Sequence, residues 1–334
     1  MISIAIFNNK GGVGKTTLLS NLAAFFKLKG KRVLVVDADP QCNATTYLLD
    51  EELIEKYYSE DTNTTYNLID PYEKGEYEVI PKPVHSKGFD VDLLLGDTRV
   101  ARIEDFLSKE WTESQNGTGR SIKTLCFIKS YLKEINDKYD YVFFDVGPSL
   151  GALNRIILLS VSCFIIPMSS DIFSLRALEN ISEGIVKWRD DINSSLSRYK
   201  ELQKQPYKIK GEDVVIMPNF LGYVTQQYKA KSKDGIKVPV KAYEIITSQI
   251  PDKIQSTLAD FYPEDLTYKE LKLGDIPNFN SLIPLSQACH KAIFLMDSQD
   301  GVFGAHFSKV EEYRGIMQHV IDNVESNLKR YGLA

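Results

Sequence analysis

The spacing of apolar residues changes several times along the chain, and each change marks an element. Residues 2–6, ISIAI, are almost uninterrupted and β-branched, the pattern of a buried strand. TLLSNLAAFFKLKG at 17–30 then repeats apolar residues at helical spacing. RVLVVDADP at 32–40 is a second buried-strand pattern ending in carboxylates, and YDYVFFDVGPSL at 139–150 is a third. CFIIPMSSD (163–171), VVIMPNFLGYV (214–224) and LGDIPNFNSL (273–282) repeat the strand signal.

Between these strands, TYNLID (65–70) reads as a helix start and YEVIPKPV (77–84) as a short strand or loop. DVDLLLGDTRVARIEDFL (90–107) reads as a strand passing into a helix, and IKTLCFIKSYLKEINDKY (122–139) as a helix. SKEWTESQNGTGRS (108–121) has turn composition and is expected to be a mobile surface loop. An amphipathic helix around VEEYRGIMQHVIDNVESNL is expected near the end. Strands alternating with helices predict an α/β fold with a doubly wound, mostly parallel sheet. One domain over 1–334 is expected, with insertions near 108–121, 194–213 and 227–270, and no internal repeat is evident.

Composition narrows the function classes. The chain is 43% hydrophobic and 25% charged, ordinary for a globular protein, and its net charge of −5 gives no global attraction to nucleic acid or anionic lipid. The longest apolar candidate for a membrane span, 156–168, is short and stops at Pro167. Because the strand begins at residue 2, no signal peptide is expected, and the cytoplasm is the expected compartment. Only nine residues precede Lys10, so no helix–turn–helix is expected ahead of it. Cys42, Cys126, Cys163 and Cys289 lie far apart and read as reduced thiols, not a zinc or iron–sulfur framework. His85, His290, His306 and His319 share no ligand spacing.

The candidate chemistry lies between the first strand and first helix, in NNKGGVGKTT (8–17). A glycine loop opening a helix aims unpaired N–H groups and the positive helix end at one point, which suits a polyphosphate. The strict phosphate-loop pattern asks for glycine where this chain has Asn9, a residue that can tolerate left-handed backbone angles. Lys15 and the hydroxyl of Thr16 stand where such loops hold phosphate and Mg²⁺. Asp37, Asp39 and Asp145 end strands beside the loop. Asp145, taken alone, could equally just end a strand.

KGGVGKTT followed by RVLVVDADPQCNAT resembles the ParA/MinD family of deviant Walker A P-loop ATPases, its ParA branch most closely. The resemblance runs from residue 2 to about 296. It implies ATP and Mg²⁺ as cofactors, with Lys10, Gly11, Gly12, Val13, Gly14, Lys15, Thr16 and Thr17 around the nucleotide. Thr16, Asp37 and Asp145 would serve the metal, Asp39 would orient the attacking water, and Asn219 and Pro277 are adenine-pocket candidates. Lys15 would hold phosphate within its own subunit, whereas Lys10 would reach the partner's ATP across a homodimer. The plain alternative for Lys10 is a solvated loop lysine.

The family usually follows its Walker B aspartate with Cys-Pro-Pro; here Val146-Gly147-Pro148 follows Asp145, so hydrolysis is expected to be slow or retuned. The function implied is an ATP-dependent dimerising switch that partitions or positions DNA or cargo and is reset by a partner protein. Non-specific DNA contact would fall to Lys229, Lys231, Lys233, Lys237 and Lys241, with nucleoid association possible on that reading. The alternative is a nucleotide-gated regulator of proteins that never touches DNA. Membrane binding by the tail NLKRYGLA is not favoured, because it offers little apolar surface.

Overall fold

The computed structural model describes residues 1–76, 79–169, 171–228, 230–233, 236–239, 248–279 and 281–333. Among the described residues, eight strands form one sheet in the order β12-β9-β6-β1-β5-β2-β4-β3. Its centre is β1 (Ile2–Ile6), flanked by β5 (Tyr141–Asp145) and β6 (Cys163–Ser169). Outward on one side lie β2 (Val33–Asp37), β4 (Val91–Leu94) and β3 (Val84–Ser86); on the other lie β9 (Asn219–Tyr228) and β12 (Lys272–Pro277). Every pairing is parallel except β3 with β4, as the alternating order of strands and helices predicts.

Because successive strand residues point to opposite faces, the apolar runs feed two cores. Ile2, Ile4, Ile6, Val33, Val35 and Phe143 pack on one face with α1 (Lys15–Leu28) and the long last helix α12 (Ala305–Arg330). Ala5, Leu34, Val36, Val142 and Phe144 pack on the other, with α5 (Glu104–Ser114), α7 (Phe127–Glu134), α8 (Ala152–Ser160) and α9 (Ile172–Gln203). Burial on both faces explains why these strands carry no polar alternation. Among the described residues, no helix is long and apolar enough to cross a membrane.

The turn-rich stretch 108–121 is mostly helix, contrary to the loop expected there. It finishes α5 and begins α6 (Gly119–Leu125), because Trp111 and Ser114 are buried, and the turn is confined to Gln115–Thr118, with Gly117 at φ +74°. Tertiary burial has overridden local composition. Likewise, much of 194–213 is the end of α9, followed by the short pair β7 (Lys208–Ile209) and β8 (Glu212–Asp213). The region 227–270 holds the strands β10 (Ala230–Lys233) and β11 (Ile236–Pro239), paired antiparallel, and α10 (Ile250–Thr257).

Candidate functional site

Parallel strands place their carboxyl ends at one edge of the sheet. Ile6, Asp145 and Asp37 are in register across β1, β5 and β2, so the loop after β1 sits over both aspartates. That loop is fastened by the fully buried Asn8, whose Nδ2 donates to Pro167 O at 2.7 Å and whose Oδ1 accepts from Lys10 N at 2.9 Å. Gly12 at φ +72° and Gly14 at φ +77° take left-handed backbone angles, which glycine adopts without a Cβ clash. Asn9 does not; the tolerance argued for it from sequence is not used.

Gly11, Gly12, Val13, Gly14, Lys15, Thr16 and Thr17 line a cavity of about 470 Å³ together with Asp39, Gln41, Asn43, Thr46, Tyr47, Pro148, Ile283 and Gln287. Its size and its N–H-rich floor at the start of α1 suit a nucleotide. Lys15 is 8% exposed and donates to Lys10 O at 3.3 Å. Burial lowers its pKa, while the nearby carboxylates of Asp145 and Asp39 pull it back up. Thr16 Oγ1 donates to Asp145 Oδ2 at 2.7 Å, while Asp145 Oδ1 is buried with no hydrogen-bond partner. Burial first, then the charge of Asp37, raises the Asp145 carboxyl well above the usual range. A divalent cation beside Thr16 would supply the counter-charge this desolvated acid lacks. Among the described residues no group of three or more His, Cys, Asp or Glu side chains has metal-holding geometry. A cation here would therefore take most of its ligands from phosphate and water, the habit of Mg²⁺.

Asp37 is set apart from the metal role implied for it. It is fully buried, and its Oδ2 accepts from both Thr45 N and Thr45 Oγ1 at 2.7 Å, with Asp39 N on Oδ1 at 3.3 Å. Its carboxylate braces the start of α2 (Asn43–Leu48), with Oδ2 holding both short bonds and Oδ1 a single long one. Burial raises its pKa to about 7. Asp39 is different: Oδ1 accepts from Gln41 N at 3.0 Å, and its side chain lines the cavity. Gly147 lies against it, so that a Cβ there would come within 3.2 Å of Asp39 Oδ1.

Lys10 is neither buried nor free. Its ammonium is ion-paired with Asp171, which lies 161 residues on and caps α9 by accepting from Phe173 N at 2.9 Å and Ser174 N at 3.1 Å. Both side chains remain about one third exposed, at 32% and 34%. The bland reading of a solvated lysine does not describe this contact.

Asn219 does not belong to the site. It opens β9 opposite Cys163, where the strands begin, and its amide donates to Ser162 O at 2.8 Å. Pro277 closes the edge strand β12 and is not among the residues lining the cavity. The lining on that side comes from α11 (Leu282–Cys289), through Ile283 and Gln287. Tyr47 ties this wall to α1: its hydroxyl bonds Ser286 Oγ at 2.7 Å and accepts from Asn21 at 3.4 Å. Gln226, on β9, donates to Gly14 O at 3.3 Å. No sequence signal marked Asp171, Ile283, Gln287 or Gln226, because each reaches the site from a distant strand or helix. Of the lysines expected to meet DNA, Lys229 and Lys241 lie outside the described residues, and Lys231, Lys233 and Lys237 stand on β10 and β11.

A family profile described as an AAA domain matches residues 1–198. The chain is 29% identical over 197 residues to the sporulation initiation inhibitor protein Soj of Bacillus subtilis, covering 58% of this chain and 68% of Soj. It spans about half, 54%, of the length of two other curated relatives. Among solved structures, protein DIP2308 from Corynebacterium diphtheriae superposes with a TM-score of 0.71 at 30% identity, over 87% of this chain and 97% of that one. A putative plasmid partition protein from Borrelia burgdorferi bound to AMPPNP shares the fold, with a TM-score of 0.60 at 18% identity over 96% and 98% of the two chains. With the loop, the strand-end aspartates and the parallel sheet in place, these matches identify the chain as a member of the ParA/MinD family of P-loop ATPases.

Proposed function

We propose that the protein is an ATP-dependent dimerising switch that hydrolyses ATP slowly and partitions or positions DNA or cargo in the cytoplasm. The observation that carries this reading is Lys10, held by Asp171 and next in the chain to Gly11 of a cavity that already has its own lysine in Lys15. A second ammonium there is surplus to one nucleotide and sits where a second copy's phosphates could claim it. Two unit charges about 4 Å apart interact by roughly 4 kcal/mol at an effective dielectric near 20, enough to bias an association.

In this reading the loop N–H groups and Lys15 would hold the phosphates, while Thr16 and Asp145 would hold Mg²⁺. When bound, the metal would neutralise charge on the β- and γ-phosphate oxygens. Asp39 orients a water: its Oδ1 is anchored on Gln41 N, and Oδ2 has no hydrogen-bond partner among the described residues. Phosphoryl transfer needs such orientation more than a strong base. The B. burgdorferi protein's AMPPNP and the name of Soj support the cofactor and the class. A regulator acting on proteins without DNA is the second reading, favoured by the net charge of −5.

The test is the mass of an Asp39→Ala protein in solution with saturating ATP and Mg²⁺. A dimer that dissociates in ADP, and that Lys10→Ala abolishes without loss of ATP binding, is the expected result. A monomer under all these conditions overturns the switch. Retention of the dimer on random duplex DNA, lost as salt rises, separates the two readings.

A further inference from the structure

A second cavity, of about 360 Å³, opens at the opposite end of the sheet, where the strands begin. Its polar side is made by Lys129 of α7 with Ser3 and Ser162, and its apolar side by Leu132, Ile209 and Val215. That volume falls within the range of small-molecule sites. Val215 at the rim is 68% exposed, so its apolar surface is open to a ligand in the cavity.

Among the described residues, the charged side chains around this cavity are ion-paired except for Lys129. Lys133 pairs with Glu212 at 2.7 Å, and Lys208 with Asp213 at 3.6 Å. Lys129 Nζ has only the carbonyl of Ser160 at 3.4 Å, a long contact for a charge-assisted bond, and no carboxylate partner among the described residues. Its desolvation lowers its pKa, and the neighbouring Lys133 adds to that; Cys126, the other titratable neighbour, opposes it. An ammonium kept half-buried without a counter-ion is costly unless a ligand supplies one.

The two serines leave one donor unused. Ser3 Oγ accepts from Ser162 N at 2.9 Å, Ser162 Oγ accepts from Ser3 N at 3.3 Å, and the two oxygens are 3.2 Å apart. Their mutual bond consumes one of two hydroxyl protons. The other remains for a group in the cavity.

We infer that this cavity binds a small amphipathic carboxylate, its headgroup on Lys129 and the free serine hydroxyl and its tail along Leu132, Ile209 and Val215. Such a ligand would meet the two unsatisfied donors and cover the exposed apolar rim at once. The site is remote from the phosphate loop and does not depend on the ATP-switch reading.

The test is calorimetric titration of the full-length protein with hexanoate, using acetate and hexylammonium as comparisons. Expected are saturable one-to-one binding of hexanoate, weaker binding of acetate, and none of hexylammonium. Loss of a charge-assisted bond in Lys129→Gln should weaken hexanoate by about tenfold to a hundredfold, with Lys129→Arg close to wild type. Nucleotide binding by Lys129→Gln checks that it folds. In the wild type, hexanoate should slow reductive methylation of Lys129 more than that of Lys133, a readout that needs no variant. Absence of saturable binding at millimolar hexanoate, equal binding of hexylammonium, or unchanged binding and unchanged labelling at Lys129 overturns the inference.

Discussion

Replacing Asp171 with asparagine removes the charge that holds Lys10 while keeping the α9 cap, because asparagine accepts from Phe173 N and Ser174 N as aspartate does. If Lys10 must leave Asp171 before it can reach a second copy's phosphates, the ion pair opposes dimerisation. Both side chains are about one third exposed, so solvent screens the pair and its worth is about 1 kcal/mol, the upper end for exposed ion pairs. A symmetric dimer releases two such lysines, so the variant should favour association by about 2 kcal/mol, roughly thirtyfold in the dimer dissociation constant. The assay is sedimentation equilibrium with ATP and Mg²⁺, in an Asp39→Ala background so that nucleotide persists. The gain should shrink at high salt, where the pair is already weakened. It should also vanish when Lys10→Ala is added, as a double-mutant cycle requires. Equal dimerisation of Asp171→Asn and its parent, with ATP binding intact, refutes the latch; a gain that survives Lys10→Ala refutes Lys10 as its cause.

Two further outcomes follow from the same site. Gly147→Ala would put a methyl 3.2 Å from Asp39 Oδ1, so Asp39 must shift by a few tenths of an ångström; turnover should fall severalfold in a phosphate-release assay, with ATP affinity unchanged. Asp37 has a folded pKa of about 7, raised by burial from an ordinary 3.8. Below pH 3.8 the folded and unfolded chains both hold its proton; between there and about 7 only the fold does, so stability falls as pH rises through this window. At about 1.4 kcal/mol per unit this amounts to a few kcal/mol in the nucleotide-free protein. Asp37→Asn, a mimic of the protonated acid, should flatten the slope in urea titrations at pH 5 and 8 and be the more stable protein at pH 8. The part due to Asp145, which is also raised, should remain.

The local signals succeeded where one segment carries the whole physical cause. The glycine loop, the buried strands ending in Asp37 and Asp145, and the helix beginning at Lys15 are each set by short-range periodicity and by the backbone angles glycine permits. They led to the parallel fold and the phosphate cradle. Asp37 lay at the expected strand end, yet spacing could not reveal that Thr45 would occupy its carboxylate. The loop reading of 108–121 failed similarly, since its polar composition was outweighed by the burial of Trp111.

Chain order thus determined the elements, the sheet edge where the glycine loop and the strand-end aspartates gather, and the placing of Lys15, Thr16 and Asp39 along one cavity there. Tertiary packing decided who stands beside them: Asp171 on Lys10, Ile283 and Gln287 on the far wall, and Asn219 away at the other end of the sheet. The division has a physical basis. Backbone preference and apolar period act over a few residues, whereas an ion pair spanning 161 positions exists only because parallel strands β1 and β6 bring their ends together.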